Sequence, residues 1–273
     1  MLFFEVGLLL DGKGFLMTTF RKLECKCAIC GTTSEFDVLS SSNTCDGGPD
    51  LDTRPAEMYR STMHLWLQEC PKCKYVSGNI SDRHNISREW LNSNSYRWCD
   101  GHFFMSSLAK RFYRHYLIAM ESKDYKEAFY AILHCAWVCD DKKDIRNAIR
   151  CRKLALPLVT DMIEDDYYSD NYSSQSNDAS LILLKADIMR RAKRFNEVVN
   201  EFSSKRLSDD RMNDYLQFEI EKAKAKDNKC YCTDDVPFTN HRPTYRKRPE
   251  NSTSDMKKTE SNEGSDLFDL PLL

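Results

Sequence analysis

The sequence predicts a mainly α-helical chain that begins with a small, metal-clamped β module and ends in a disordered tail. Three observations carry this prediction. Two Cys-x-x-Cys pairs, Cys27/Cys30 and Cys70/Cys73, stand close to one end with residues 31–69 between them. Apolar residues recur at helical spacing from about residue 86 to residue 226. From Asp227 onward that periodicity is lost, and Pro, Asn, Thr, Ser, Lys and Glu take over. The organisation expected is a 1–16 extension, a 17–85 β module, an 86–226 helical domain and a 227–273 tail.

Composition narrows the class. In 273 residues, 40 Lys and Arg nearly balance 42 Asp and Glu, and 41% of residues are hydrophobic. Such a chain can bury a core, and it is neither collagen-like nor a multi-span membrane protein. The twelve cysteines cluster in tight pairs instead of spreading over a short secreted scaffold, which favours metal binding in a reducing, cytoplasmic setting.

Residues 1–10 are apolar apart from Glu5. They fall short of the roughly 20 residues that span a bilayer, and they lack a basic start and a small-residue cleavage site. Neither a signal peptide nor a membrane contact is expected. Gly12-Lys13-Gly14 lies just ahead of a second methionine and would be encoded by purine-rich codons, as in a ribosome-binding sequence. Translation starting at Met17 would make residues 1–16 a non-native extension; the alternative is a native strand or short helix covering the metal module.

Within 17–85, Gly-Gly-Pro, Asp-rich turns and short alternating segments predict β structure. In residues 62–68, Met63, Leu65 and Leu67 alternate with His64 and Trp66, which predicts a strand running into the second cysteine pair. Ser87 is a candidate N-cap for a short helix at 88–91. Leu108, Phe112, Tyr116 and Ala119 form one helical stripe, and Tyr125, Ala128, Phe129, Ile132, Leu133 and Ala136 form a broader one. A helix over 144–163 carries Pro157, which removes a backbone donor and predicts a kink. Residues 165–177 read as a polar loop. Three further stripes end the domain: Leu181, Leu184 and Ile188; Phe195, Val198, Val199 and Phe202; and Met212, Leu216, Ile220 and Ala223.

These helices read as hairpins in series. A small residue followed by a large apolar one on a second helix marks tetratricopeptide repeats, and Ala128/Ile132 and Val198/Phe202 fit that slot. Their spacing is close to two periods of about 34 residues. The first helix departs from the pattern at Tyr116, and the closing prolines are missing, so generic antiparallel hairpins are the alternative.

The chemistry sits in the cysteines. In a Cys-x-x-Cys turn two sulfurs converge on one ion while backbone N–H groups point at them, and a glycine after the second cysteine closes the turn through a left-handed conformation. Gly31 supplies it once, and Lys74 occupies the equivalent place. Four thiolates suit tetrahedral Zn²⁺, so Cys27, Cys30, Cys70 and Cys73 are the candidate ligands of one structural zinc. Cys25 is the candidate for a ligand swap. Cys45, Cys99 with His102, and Cys230 with Cys232 have spacing too irregular for a second site. Between the knuckles, Asp50, Asp52 and Arg54 stand at alternate positions. In an extended segment they would share one side, as a polar binding site or as a rigid capped loop.

Taken together, Cys27-Ala28-Ile29-Cys30-Gly31, Ser40-Ser41-Ser42-Asn43, the Pro-Asp-Leu-Asp-Thr-Arg-Pro run at 49–55, Met58 to Met63 and Gln68 to Tyr75 resemble a bacterial family of unknown function. The resemblance covers roughly residues 21–225 and is sharpest at the knuckles. It implies a zinc-ribbon-like module followed by tetratricopeptide-like helices, with no reaction attached.

The function class expected is an interaction scaffold that binds a protein or peptide partner in a helical groove. Nucleic-acid binding is the alternative, since ribbons often touch DNA or RNA. Residues 17–115 carry 13 basic and 11 acidic groups, a balance that weakens it, because a duplex binder shows a concentrated basic face. An enzyme is third. The chain has no Gly-rich phosphate loop, nucleophile elbow or open-site His/Glu metal motif, and His64, His84, His102, His115 and His134 are scattered. The acidic and apolar residues 266–273 would suit a docking peptide.

Overall fold

The computed structural model describes residues 18–44, 46–101, 103–167 and 174–238. The candidate start at Met17, Cys45, His102 and the end segment 266–273 lie outside them. Two short antiparallel hairpins open the fold. β1 (Thr19–Lys26) pairs with β2 (Thr33–Ser41), Lys26 opposite Thr33 and Leu23 opposite Phe36. After a single helical turn, α1 (Glu57–Arg60), the second hairpin forms from β3 (Gln68–Glu69) and β4 (Val76–Ser77). Each hairpin is closed by one cysteine pair.

The strand expected over residues 62–68 does not form. Met63–Leu65 is a 3-10 turn instead, held where Thr62 donates to the Tyr59 carbonyl and accepts from Trp66 Nε1 at 2.9 Å. Burying Met63 and Leu67 four positions apart satisfies a helical turn as well as it satisfies an alternating strand. Ser87 caps the next turn as expected, accepting from the Trp90 N–H, and is followed by the 3-10 turn Trp90–Asn92 and the short α2 (Asn94–Arg97).

Six helices follow: α3 (Ser107–Glu121), α4 (Tyr125–Asp141), α5 (Ile145–Tyr167), α6 (Ser174–Arg191), α7 (Phe195–Phe202) and α8 (Asp210–Lys224). They pack in series, α3 on α4, α4 on α5, α5 on α6, then α6 and α7 on α8. Ala128, Ile132, Val198 and Phe202 are all buried, as the repeat pattern requires. α5 continues past Pro157 to Tyr167, and α6 starts at Ser174, so residues 165–167 and 174–177 of the expected 165–177 loop are helical. The buried Leu156 and Val159 stripe carries the helix through its polar last turn, because extending a formed helix costs far less than starting one.

One device ends four of the helices. Lys123, Lys143, Lys193 and Lys226 adopt left-handed backbones with φ of 62°, 57°, 64° and 55°. In each case the next residue's N–H reaches back one full turn, as from Asp124 to Ala119 and from Asp144 to Cys139, which is the bonding of a Schellman cap. Asp124 and Asp144 then cap the following helix through Glu127 and Asn147. A Lys-Asp pair thus stops one helix and starts another.

The β module docks on the helices through a shared apolar core that includes Tyr75, Val76, Leu91, Tyr96, Phe112 and Ile132. Full burial of such side chains contributes roughly 1.5–3 kcal/mol each. Arg111 donates to the His64 and Leu67 carbonyls, and Arg114 pairs with Glu69 and Asp100.

Residues 227–238, expected to open the tail, return across this body. Leu51 N–H bonds the Tyr231 carbonyl, Thr233 N–H bonds the Pro49 carbonyl, and Asp50 bridges Cys232. Buried Arg190 pairs with Glu219 and donates to the carbonyls of Asp227 and Lys229. Gly48 permits the approach, since a Cβ there would fall 2.0 Å from Thr233 Oγ1. Tyr215, Phe218 and Val236 form a small second core around the crossing. No helix among the described residues is long and apolar enough to cross a membrane.

Candidate metal centre

The two hairpin turns face each other with matching bonds. Gly31 N–H reaches the Cys27 carbonyl and Cys27 N–H the Thr32 carbonyl; Lys74 N–H reaches the Cys70 carbonyl and Cys70 N–H the Tyr75 carbonyl. Gly31 sits at φ 71° and Lys74 at φ 65°, so the lysine accepts the conformation for which glycine is the usual choice. Its ammonium pairs with Glu69, and Tyr96 OH holds its carbonyl.

This symmetry brings Sγ of Cys27, Cys30, Cys70 and Cys73 within 4.8 Å of one another. Cys27–Cys73 and Cys30–Cys70 are 3.6 and 3.5 Å apart. With metal–sulfur bonds of about 2.3 Å a tetrahedron requires separations of about 3.8 Å, so these two pairs need to open only by roughly 0.2–0.3 Å to fit a coordination shell. The group could hold a metal ion such as zinc.

The electrostatics of the four sulfurs are uneven. Burial pushes the Cys27 and Cys73 thiols up, against backbone N–H groups of Ile29 and Cys30 at Cys27 and of Tyr75 at Cys73. Burial also opposes ionisation of Cys30, but the Thr32 hydroxyl and N–H and the neighbouring Cys70 and Cys73 outweigh it and lower that thiol to about 6. N–H groups aimed at sulfur are the donors that a bound thiolate needs. Cys25 is buried but stands outside the group, with Ser34 opposite it in the β1–β2 ladder.

The insert departs from the extended segment expected. Thr53 N–H closes a turn onto the Asp50 carbonyl with Thr53 at φ 67°, which keeps Asp50 and Arg54 paired at 4.0 Å while each of the three side chains also takes a partner outside the segment. Asp50 pairs with Arg60 at 3.0 Å, and Arg54 pairs with Asp141 on α4. Asp52, with 0% exposure, accepts from Trp137 Nε1 at 2.9 Å, Arg152 at 3.2 Å and Arg191 at 2.5 Å. Asp140 binds the same two arginines. Burial raises Asp50, reinforced by Asp52. The same effect at Asp52 is overcome by Arg191 and Arg152, which leave its carboxyl below the usual carboxylate range.

Two groupings escaped the sequence reading. His84 and His115 are not scattered: both reach Glu127, at 2.8 and 3.0 Å, and Tyr75 OH lies 2.6 Å from His84 Nδ1. Cys135, Cys139 and Cys151 form a second buried sulfur cluster. The i, i+4 spacing of Cys135 and Cys139 was the available signal for the latter; nothing in sequence announces the former. No family model, no curated protein and no solved structure matches this chain.

Proposed function

We propose that Cys27, Cys30, Cys70 and Cys73 hold one structural Zn²⁺ and that the protein is a non-catalytic scaffold presenting its helices to a protein or peptide partner. Four sulfur donors leave no open position for substrate, which favours a structural ion. The observation that carries the scaffold reading is the clamp on Asp52. Helices α4, α5 and α6 already grip an acidic turn of the same chain through Arg152, Arg191 and Trp137, which is the chemistry by which an arginine-lined surface holds an acidic peptide. Beside it lies a basin of about 660 Å³ lined by Ile149, Lys153, Ala192, Lys193, Arg194 and Glu197, a size suited to a few side chains. An acidic peptide segment is the partner this surface favours.

Nucleic acid is the less favoured reading. The β1–β2 ribbon, residues 19–41, balances Arg21, Lys22 and Lys26 with Glu24, Glu35 and Asp37, so this ribbon lacks the basic concentration that duplex binding uses. The test is capture with the full chain and with K153E/K193E, each with and without nuclease. Loss of a protein partner in the variant, with zinc content and melting unchanged, supports the scaffold; capture that survives charge reversal but not nuclease overturns it.

A further inference from the structure

Helices α4 and α5 bring together a second set of sulfurs that the scaffold does not use. Cys135 and Cys139 lie one turn apart on α4, and Cys151 meets them from α5. The three Sγ atoms are all within 4.8 Å of one another, with Cys135 and Cys151 at 3.5 Å. All three thiols are free and at most 1% exposed.

The trio differs from the four-sulfur cage in two respects. Among the described residues no fourth Cys, His or carboxylate joins it. Asp144, an acid acting on Cys139, is already engaged by the Met105 N–H and by Asn147. Burial also leaves no solvent-facing position from which water could complete a tetrahedron. Zinc would be one ligand short, whereas soft thiolates select the monovalent copper ion, which is satisfied by trigonal sulfur. With metal–sulfur bonds of about 2.3 Å a trigonal set requires separations near 4.0 Å, so Cys135 and Cys151, at 3.5 Å, would open by about 0.5 Å around the ion.

We propose that Cys135, Cys139 and Cys151 form a three-sulfur site for Cu(I), separate from the four-sulfur cage and selective against zinc. Each thiol that coordinates releases its proton, so a fully ligated ion carries net negative charge. Arg150 and Arg152 act on Cys151 from either side of it in sequence. Arg150 is held over the Trp98 and Phe103 rings at 5.0 and 4.6 Å, and Arg152 keeps a buried Nε with no hydrogen-bond partner. Arg152 is already shared by Asp52 and Asp140, so Arg150 is the guanidinium acting on Cys151 that offsets part of that charge. The competing role is plain packing, three small side chains filling a close helix contact.

The two roles part in one experiment. The full chain, reduced and zinc-loaded, is titrated with Cu(I) against a competing chelator without oxygen while released zinc is measured. The site predicts uptake of one Cu(I) per chain, no zinc release and a three-sulfur shell at the copper absorption edge. C139A and C151A, each with full zinc content and native spectra, take up none. Zinc release in step with copper uptake, uptake unchanged in both variants, or no uptake by the unmodified chain overturns the proposal. If the alanine variants fail to fold, the copper-edge sulfur number decides: two or four sulfurs contradict the site, and three with zinc retained support it.

Discussion

Replacing Asp52 with alanine tests how the insert is fastened to the helices. The carboxylate has 0% exposure and accepts from Trp137, Arg152 and Arg191, the two arginines being 1% and 4% exposed. In the native cluster Arg152 and Arg191 share Asp52 and Asp140, and Asp187 stands 3.9 Å from Arg191. Removing Asp52 leaves the two buried arginines to share Asp140, with the more distant Asp187 as the remaining counter-charge, and strips Trp137 Nε1 of its acceptor. Breaking a buried pair in this way costs about 3–5 kcal/mol. The assay is urea unfolding followed by tryptophan fluorescence, in which D52A should unfold at a clearly lower midpoint. R191M in the D52A background removes one of the two arginine charges and should recover part of the loss. A change below about 1 kcal/mol, the range of an exposed pair, would refute the burial argument.

The same structure fixes other outcomes. His84 is raised chiefly by its hydrogen bond to Glu127, so its contribution is complete below its unfolded value of about 6.5 and is lost as pH rises through the folded value; H84Q should flatten the alkaline limb of a stability-against-pH curve. Glu127 is held below the usual carboxylate range, burial being overcome by His115 and His84, so its contribution is present above about 4.5 and lost in acid, and E127Q should make the acid limb shallower. G48A places a methyl group where Thr233 and Asp234 lie, a conflict worth about 1–3 kcal/mol, and hydrogen exchange at 231–236 should speed up while the knuckles stay protected. K74G relieves a left-handed non-glycine backbone and should stabilise the module by about 1 kcal/mol, read as a higher melting temperature with zinc content unchanged.

Much of this architecture was legible in the residues, and the misses share a cause. The knuckles could be read because Cys-x-x-Cys is a local geometry that places two sulfurs whatever surrounds it, and the helices because their apolar stripes repeat. Residues 62–68 misled because four-residue spacing and alternation coincide over so short a run. The return of 227–238 was invisible because it is held by Arg190 on backbone carbonyls and by the close approach at Gly48, neither of which leaves an apolar pattern. The fates of Asp50, Asp52 and Arg54 were hidden for the same reason. Their partners Arg60, Arg152, Arg191 and Asp141 are nearby only once the chain has folded, and the turn at Thr53 breaks the alternation that made them look like one face.

The proposed ion, held by two distant cysteine pairs, would tie the two hairpins of the β module together. Zinc-edge absorption with metal counting on the reduced chain is the decisive measurement. One zinc per chain in a four-sulfur shell at about 2.3 Å is expected, lost in C73S together with hydrogen-exchange protection of residues 25–77. A zinc-free protein, a shell containing nitrogen or oxygen, or a zinc count untouched by C73S would contradict it.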